Sequence, residues 1–251
     1  MSQPVVVLDP GHGGRQPGAV ANGIQEKEVN LQLALLAAKK LEEQGSIEVH
    51  LTREEDKYVS LGSRVEKARN RGADLFLSLH ANAGGGEGFE SFIYRGLSSD
   101  APEKEKQRLI HASIMKELSP YEVVDRGRKK ANFFVLKNSQ VPAVLIESLF
   151  LDDPREAELW KSTAFVESLA QGVVKGINKA LLEGGEQQSE KSMSGEGGAE
   201  GKTPSKDPTG DRVLYCIQVG AFSQKERARR RLQEAYRAGF ADAFIFEKEI
   251  P

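Results

Sequence analysis

From Pro4 to about Leu182, short apolar runs alternate with stretches of helical periodicity. Residues 5–8 form an apolar run of strand length, after which Val29, Leu33, Leu36, Ala37 and Leu41 recur at helical spacing up to Gly45. Ile47, Val49 and Leu51 alternate with polar residues, as in a half-covered strand. Leu61, Val65 and Ala68 predict a helix closed by Gly72, which leads into an apolar strand over residues 75–79. The same reading predicts further strands over 89–94, 133–136 and 143–146, and helices over 101–118, 154–160 and 163–182. Strand and helix in alternation imply an α/β fold, with a mostly parallel central sheet and helices on both faces.

The pattern stops at about residue 183. Residues 183–210 contain seven glycines among Ser, Glu, Lys and Pro, with no aliphatic periodicity. A segment of this kind buries too little apolar surface to offset its ordering entropy, and it reads as a flexible linker spanning roughly 30 Å. Residues 211–251 resume order with a strand over 213–219, a helix over 224–238 carrying Arg227, Arg230 and Arg231, a stop at Gly239, and a strand over 243–246. A βαβ unit of about 40 residues is near the lower limit of independent stability, so a partner is expected. The predicted organisation is a domain over 1–182, a linker over 183–210 and a small module over 211–251.

Composition narrows the function classes. The chain has 251 residues, 39% hydrophobic and 29% charged, enough for one sizeable core plus an appendage. Its net charge of −2 supplies no basic field, so neither nucleic acid nor an anionic membrane is expected as partner. Cys216 is the only cysteine, which excludes an internal disulfide and a Cys-rich zinc cluster. No run approaches the roughly 18 apolar residues of a membrane span. The first residues lack a basic stretch, an apolar stretch and a cleavage site, so a cytoplasmic origin is expected, although a leader replaced by Met1 would read the same.

Two of the four histidines stand where a strand is expected to run out: His12 after the run at 5–8, and His80 after the run at 75–79. Sites in parallel α/β sheets gather at the carboxyl ends of strands, and imidazole is the commonest protein metal ligand. A catalytic zinc site needs a third ligand, often a carboxylate, and one open position. Glu26 and Glu28, at the start of the first predicted helix, are candidates, although a first-turn glutamate also complements the helix dipole. Glu147 follows an apolar strand, where an unpaired charge is costly. Partial burial there raises a carboxyl pKa and suits proton transfer, while a salt bridge to an arginine is the structural alternative. His50 and His111 read as structural or solvated.

These residues lie in stretches that resemble the zinc-dependent N-acetylmuramoyl-L-alanine amidases of the amidase-3 type. The stretches are Leu8-Asp9-Pro10-Gly11-His12-Gly13-Gly14, Gln25-Glu26-Lys27-Glu28-Val29-Asn30, Leu51-Thr52-Arg53, Ser63-Arg64, Ser78-Leu79-His80-Ala81-Asn82, Arg126-Gly127 and Val144-Leu145-Ile146-Glu147, collinear over most of residues 4–182. The resemblance implies one zinc ion held by His12, Glu26 and His80, Glu147 as catalytic acid/base, and peptidoglycan as partner. Arg64, Asn82 and Gln218 are carried as substrate-binding candidates. The family usually has a small residue and Gly where this chain has Ser148 and Leu149, so Leu149 is expected to narrow the pocket floor. The stretch after Asn82 lacks the long inhibitory helix of Gram-negative members. Residues 215–223 with the following helix resemble one repeat of a sporulation-related (SPOR) peptidoglycan-binding domain, which implies self-association to complete the fold. Cytoplasmic synthesis then fits a sporulation amidase released to the wall at lysis. Two other functions stay open on the residues alone: a wall-binding protein without catalysis, and a zinc peptidase cutting within the stem peptide.

Overall fold

The computed structural model describes residues 3–183. The predicted linker, the SPOR-like repeat and Gln218 lie outside them. Six strands form one sheet: β1 (Val5–Pro10), β4 (Glu48–Leu51), β5 (Leu75–Asn82), β6 (Phe89–Tyr94), β7 (Asp125–Ala131) and β8 (Ala143–Phe150). Their order is β4-β1-β5-β8-β6-β7, and every neighbouring pair is parallel except β8 with β6. The helices are α1 (Glu26–Gln44), α2 (Leu61–Asn70), α3 (Pro102–Leu118), α4 (Phe134–Lys137), α5 (Pro154–Lys161) and α6 (Thr163–Asn178). A short hairpin of β2 (Val20–Ala21) and β3 (Ile24–Gln25) delivers the chain into α1. The expected α/β architecture is present.

The period-2 alternation of the strands sorts their side chains onto two unequal faces. Val6 and Leu8 of β1, Leu75, Leu77 and Leu79 of β5, and Val144 and Ile146 of β8 join the main core under α1, α3 and α6. On α1, Leu33, Ala34, Ala37 and Leu41 are fully or almost fully buried in that core. The other face takes Val7, Phe76, Ala143 and Leu145, covered by α2 and α4. These two helices have only ten and four residues, so the second face is thinly roofed. Local signals set the boundaries: Ser60, Asp153 and Ser162 cap α2, α5 and α6 by accepting from Ser63 N, Glu156 N and Phe165 N.

Two expectations are corrected, and one strand was not anticipated. Residues 133–136, read as a strand, lie across the start of α4: four apolar residues fit either element, and burial of the adjacent Val135 and Leu136 favours a helical turn. β7 carries Arg126, Arg128, Lys129 and Lys130 and has no apolar alternation to announce it. His80 and Glu147 lie inside β5 and β8, which continue beyond the expected limits of 79 and 146. Both side chains are thereby aimed by a strand, a more rigid mount than a loop.

Candidate metal and catalytic site

The site grows from the turn after β1. His12 has φ 61°, a left-handed conformation that strains a residue carrying a side chain. Two buried arginines hold it. Arg64 donates to His12 O at 2.6 Å and Pro10 O at 2.8 Å, and pairs with Asp9 at 2.7 Å. Arg53 donates to Pro10 O at 2.9 Å, Gly11 O at 2.9 Å and Lys27 O at 2.8 Å, tying the turn to the start of α1. Asp9 compensates this buried charge and also accepts from Thr52 at 2.6 Å and Ser78 at 2.8 Å. Burial raises the Asp9 pKa, but the Arg64 charge and the hydrogen bonds from Thr52, Arg64 and Ser78 outweigh it and hold the carboxyl below its ordinary value. Burial and the neighbouring Arg64 lower Arg53 to about 10, so it stays charged at neutral pH.

That turn brings His12 to Glu26 in the first turn of α1. His12 Nε2 lies 3.0 Å from Glu26 Oε2, and His80 Nδ1 lies 2.9 Å from Glu26 Oε1. One ligand atom from each of the three residues falls within 4.8 Å of the others. Glu28, the other candidate, is exposed. Asn30, one turn along α1, donates to Glu26 Oε1 at 3.3 Å and fixes its orientation. Burial opposes ionisation of Glu26. Positive charge at His12, hydrogen bonds from both imidazoles and charge at His80 prevail, and the carboxyl lies well below its ordinary range. Two glycines make room: a Cβ on Gly11 would fall 2.2 Å from His80 Cε1, and one on Gly18 would fall 2.4 Å from Glu26 Oε2. The donor set of two imidazoles and one carboxylate, packed this closely, is of the kind that could hold a divalent metal ion such as zinc.

Glu147 stands beside this cluster. It pairs in register with His80 of β5 and, across the antiparallel side, with Glu90 of β6. Directly paired residues share a face, so His80, Glu147 and Glu90 form one row across three strands on the thinly roofed side. Burial, and after it the charges of Glu26 and Glu90, push the Glu147 carboxyl well above its ordinary value. The result is a carboxyl that keeps a proton where an ordinary glutamate would lose it.

The remaining candidates resolve differently. Arg64, expected to bind substrate, is 2% exposed and fully engaged with Asp9 and backbone carbonyls, so it positions the His12 turn. Asn82 donates to Glu90 Oε1 at 2.8 Å and accepts from Ala83 N. His111 is buried between Ser91 and Asp125, and His50 pairs with Glu48, in keeping with structural roles. Leu149 does not narrow the pocket floor: it takes φ 63° and is fully buried in the main core. That left-handed φ explains why glycine suits this position. Arg53, Asn30 and Glu90 were missed as site residues. The legible signal for Glu90 was a carboxylate in the buried phase of an apolar strand.

Fold and cluster together define the class: an α/β protein with a candidate hydrolytic metal centre at the carboxyl edge of its sheet. Comparison with known proteins sharpens this. Residues 6–179 match the family model Amidase_3, N-acetylmuramoyl-L-alanine amidase. The sporulation-specific N-acetylmuramoyl-L-alanine amidase of Bacillus subtilis (strain 168) is 38% identical over 245 residues, covering 97% of this chain and 85% of that protein. The endolysin of Bacillus phage SPP1 is 40% identical over 178 residues, 70% of this chain and 66% of that protein. Among solved structures, the catalytic domain of CwlV, an amidase of this kind from Bacillus (Paenibacillus) polymyxa var. colistinus, superposes with a TM-score of 0.65 at 32% identity, over 70% of this chain and 97% of that one. The chain belongs to the N-acetylmuramoyl-L-alanine amidase family, and is a peptidoglycan hydrolase acting on the amide between N-acetylmuramic acid and L-alanine.

Proposed function

We propose that the protein carries out this hydrolysis as a zinc enzyme, with His12, Glu26 and His80 as ligands and Glu147 as acid/base. The observation that carries the proposal is the convergence of the three donor groups within 4.8 Å, with Glu147 next in register to one of them. A bound zinc ion supplies electrostatic activation of water and of the scissile carbonyl. The protein's own groups do the rest. Glu147, its pKa raised by burial, Glu26 and Glu90, takes the proton of the attacking water on a carboxylate oxygen and passes it to the departing alanine nitrogen. Asn30 and Arg53 keep Glu26 and the His12 turn in place, the supporting role that outer groups play at metal sites.

The tail is read as part of the same activity. Likeness to the sporulation-specific relative extends over 245 residues, beyond the family match at 6–179. The likeness is consistent with residues 183–251 belonging to the same protein architecture, and we propose that 211–251 form a single SPOR-like wall-binding repeat on a linker over 183–210, completed by self-association. Release of the protein to the wall at lysis is part of the same proposal.

The test of the chemistry is digestion of purified wall with the full chain before and after chelation. New N-terminal alanine should appear, vanish on chelation and return with zinc, and calorimetry should show zinc binding lost in His80→Ala. Undiminished product from chelated protein would overturn the zinc assignment.

A further inference from the structure

Glu90 is a buried carboxylate beside Glu147, and it holds two cations that the hydrolysis itself does not call for. Its Oε2 accepts from Arg126 Nε at 2.9 Å and from Lys129 Nζ, while Oε1 accepts from Asn82. Two cations on one carboxylate leave a surplus positive charge. β7 as a whole carries four cations against Asp125, in a chain whose net charge is −2. Lysines on an edge strand also discourage pairing with other sheets. That explains the outward Arg128 and Lys130, but not Arg126 and Lys129, which turn in onto Glu90.

Arg126 is fixed at three points. Nε sits on Glu90, Nη1 donates to Glu87 O at 3.2 Å, and the guanidinium lies 4.8 Å from the Phe150 ring centroid. Its Nη2 has no hydrogen-bond partner among the described residues, and the side chains of Arg126 and Lys129 remain 32% and 39% exposed. A rigid planar fork with one free edge suits carboxylate recognition.

We infer that Arg126, assisted by Lys129, forms an anion subsite for the free α-carboxylate of the stem-peptide residue that follows the alanine, making charge at that position a determinant of specificity. The inference rests on the amidase reading. Phe89 pairs with both Ser148 and Asp125, so the start of β7 lies at the same end of the sheet as Glu147. β7 is two strands from β8, about 10 Å at roughly 4.8 Å per strand, and the Arg126 side chain reaches back over part of that gap to Glu90. An extended peptide advances about 3.5 Å per residue, which carries the second residue's carboxylate about 7 Å from the scissile bond. In peptidoglycan that residue is a glutamate, borne either with its α-carboxyl free or as the amide.

Two synthetic muramyl peptides that differ only in this carboxyl or amide test the subsite with the full, zinc-loaded chain. The acid should be favoured at least tenfold in kcat/KM, mainly through KM, with the preference shrinking as salt rises. Arg126→Gln and Lys129→Met should each pull the ratio toward one, while Arg126→Lys should keep part of it. Calorimetry with Glu147→Gln should give the same preference in binding without turnover. Equal kcat/KM for the two peptides in the wild-type chain, or an unchanged ratio in both charge-removing variants, would overturn the subsite while leaving the amidase reading intact. Hydrolysis of neither peptide would overturn both.

Discussion

The two faces of the sheet are built to different ends. Under α1, α3 and α6, the strands present mostly Val, Leu, Ile and Phe, with Ser91 and Ser148 the buried polar exceptions. Under α2 and α4, the same strands present Asp9, Ser78, His80, Glu147 and Glu90, a row of ionisable and polar groups where apolar packing would be more stable. Strand alternation makes this division possible, since a single strand such as β5 contributes Leu77 and Leu79 to one face and Ser78 and His80 to the other. One face supplies the free energy of folding. The other holds charges at short range against their mutual repulsion, which only a stable support allows.

The largest separation of the two roles is expected at Glu147. Glu147→Gln removes the proton carrier and should lower the rate of amide hydrolysis by about 10²- to 10⁴-fold, read as release of N-terminal alanine. The same variant should be at least as stable as the parent at neutral pH. Because burial and the neighbouring carboxylates raise the pKa of Glu147 above 4.5, the native state retains a proton that the unfolded chain releases. Stability of the metal-free protein should therefore fall as pH rises above that ordinary value, and Glu147→Gln should lose this slope in urea titrations. A variant both inactive and less stable would place Glu147 on the structural side of the comparison.

Arg64, which ties α2 to Asp9 and the His12 turn, comes next in size. Arg64→Met strands Asp9 without its direct ion-pair partner and frees the carbonyls of Pro10 and His12. Breaking a buried pair from one side costs about 3–5 kcal/mol, and loosening the His12 turn should weaken zinc binding about 10- to 100-fold. Denaturation and metal titration measure the two losses separately. Leu33→Ala tests the opposite face: Leu33 is fully buried, and its truncation should cost about 2–5 kcal/mol while leaving kcat of the folded protein unchanged. A drop in kcat would show that the faces are coupled.

The same division explains how much the sequence could reveal. β1, β5, β8 and α1 were legible because buried elements carry long apolar patterns. His12 and His80 were legible because they follow such patterns at the edge where sites form. The choice of Glu26 over Glu28 came from family resemblance and agrees with burial of the first and exposure of the second. What the sequence concealed depends on pairing across distance. Nothing local distinguishes Arg53 and Arg64, buried on Asp9 and the His12 turn, from the many solvated arginines. β7 pairs along its backbone with β6 while its side chains are cationic, so it carries no hydrophobic signature.

The smallest effect is expected at a polar group set into the thick face. His111 of α3 joins Ser91 Oγ at 2.8 Å to Asp125 Oδ1 at 2.9 Å, linking the helix to β6 and β7. Burial lowers the His111 pKa below 6.5 and outweighs the opposing hydrogen bond and charge of Asp125. The native state thus favours the neutral ring, and the unfolded chain binds the proton first. Stability from this contact should be complete above about pH 6.5 and should decline as pH falls through and below it. His111→Asn keeps a polar group but cannot titrate, so its melting temperature should lose the part of the acid-side decline between pH 6.5 and 5 that the parent shows, with hydrolysis at neutral pH unaffected. An unchanged decline would remove His111 as its cause, and Asp9 could not take its place, since its depressed pKa confines its own loss of stability to pH values below the ordinary carboxyl pKa of 3.8.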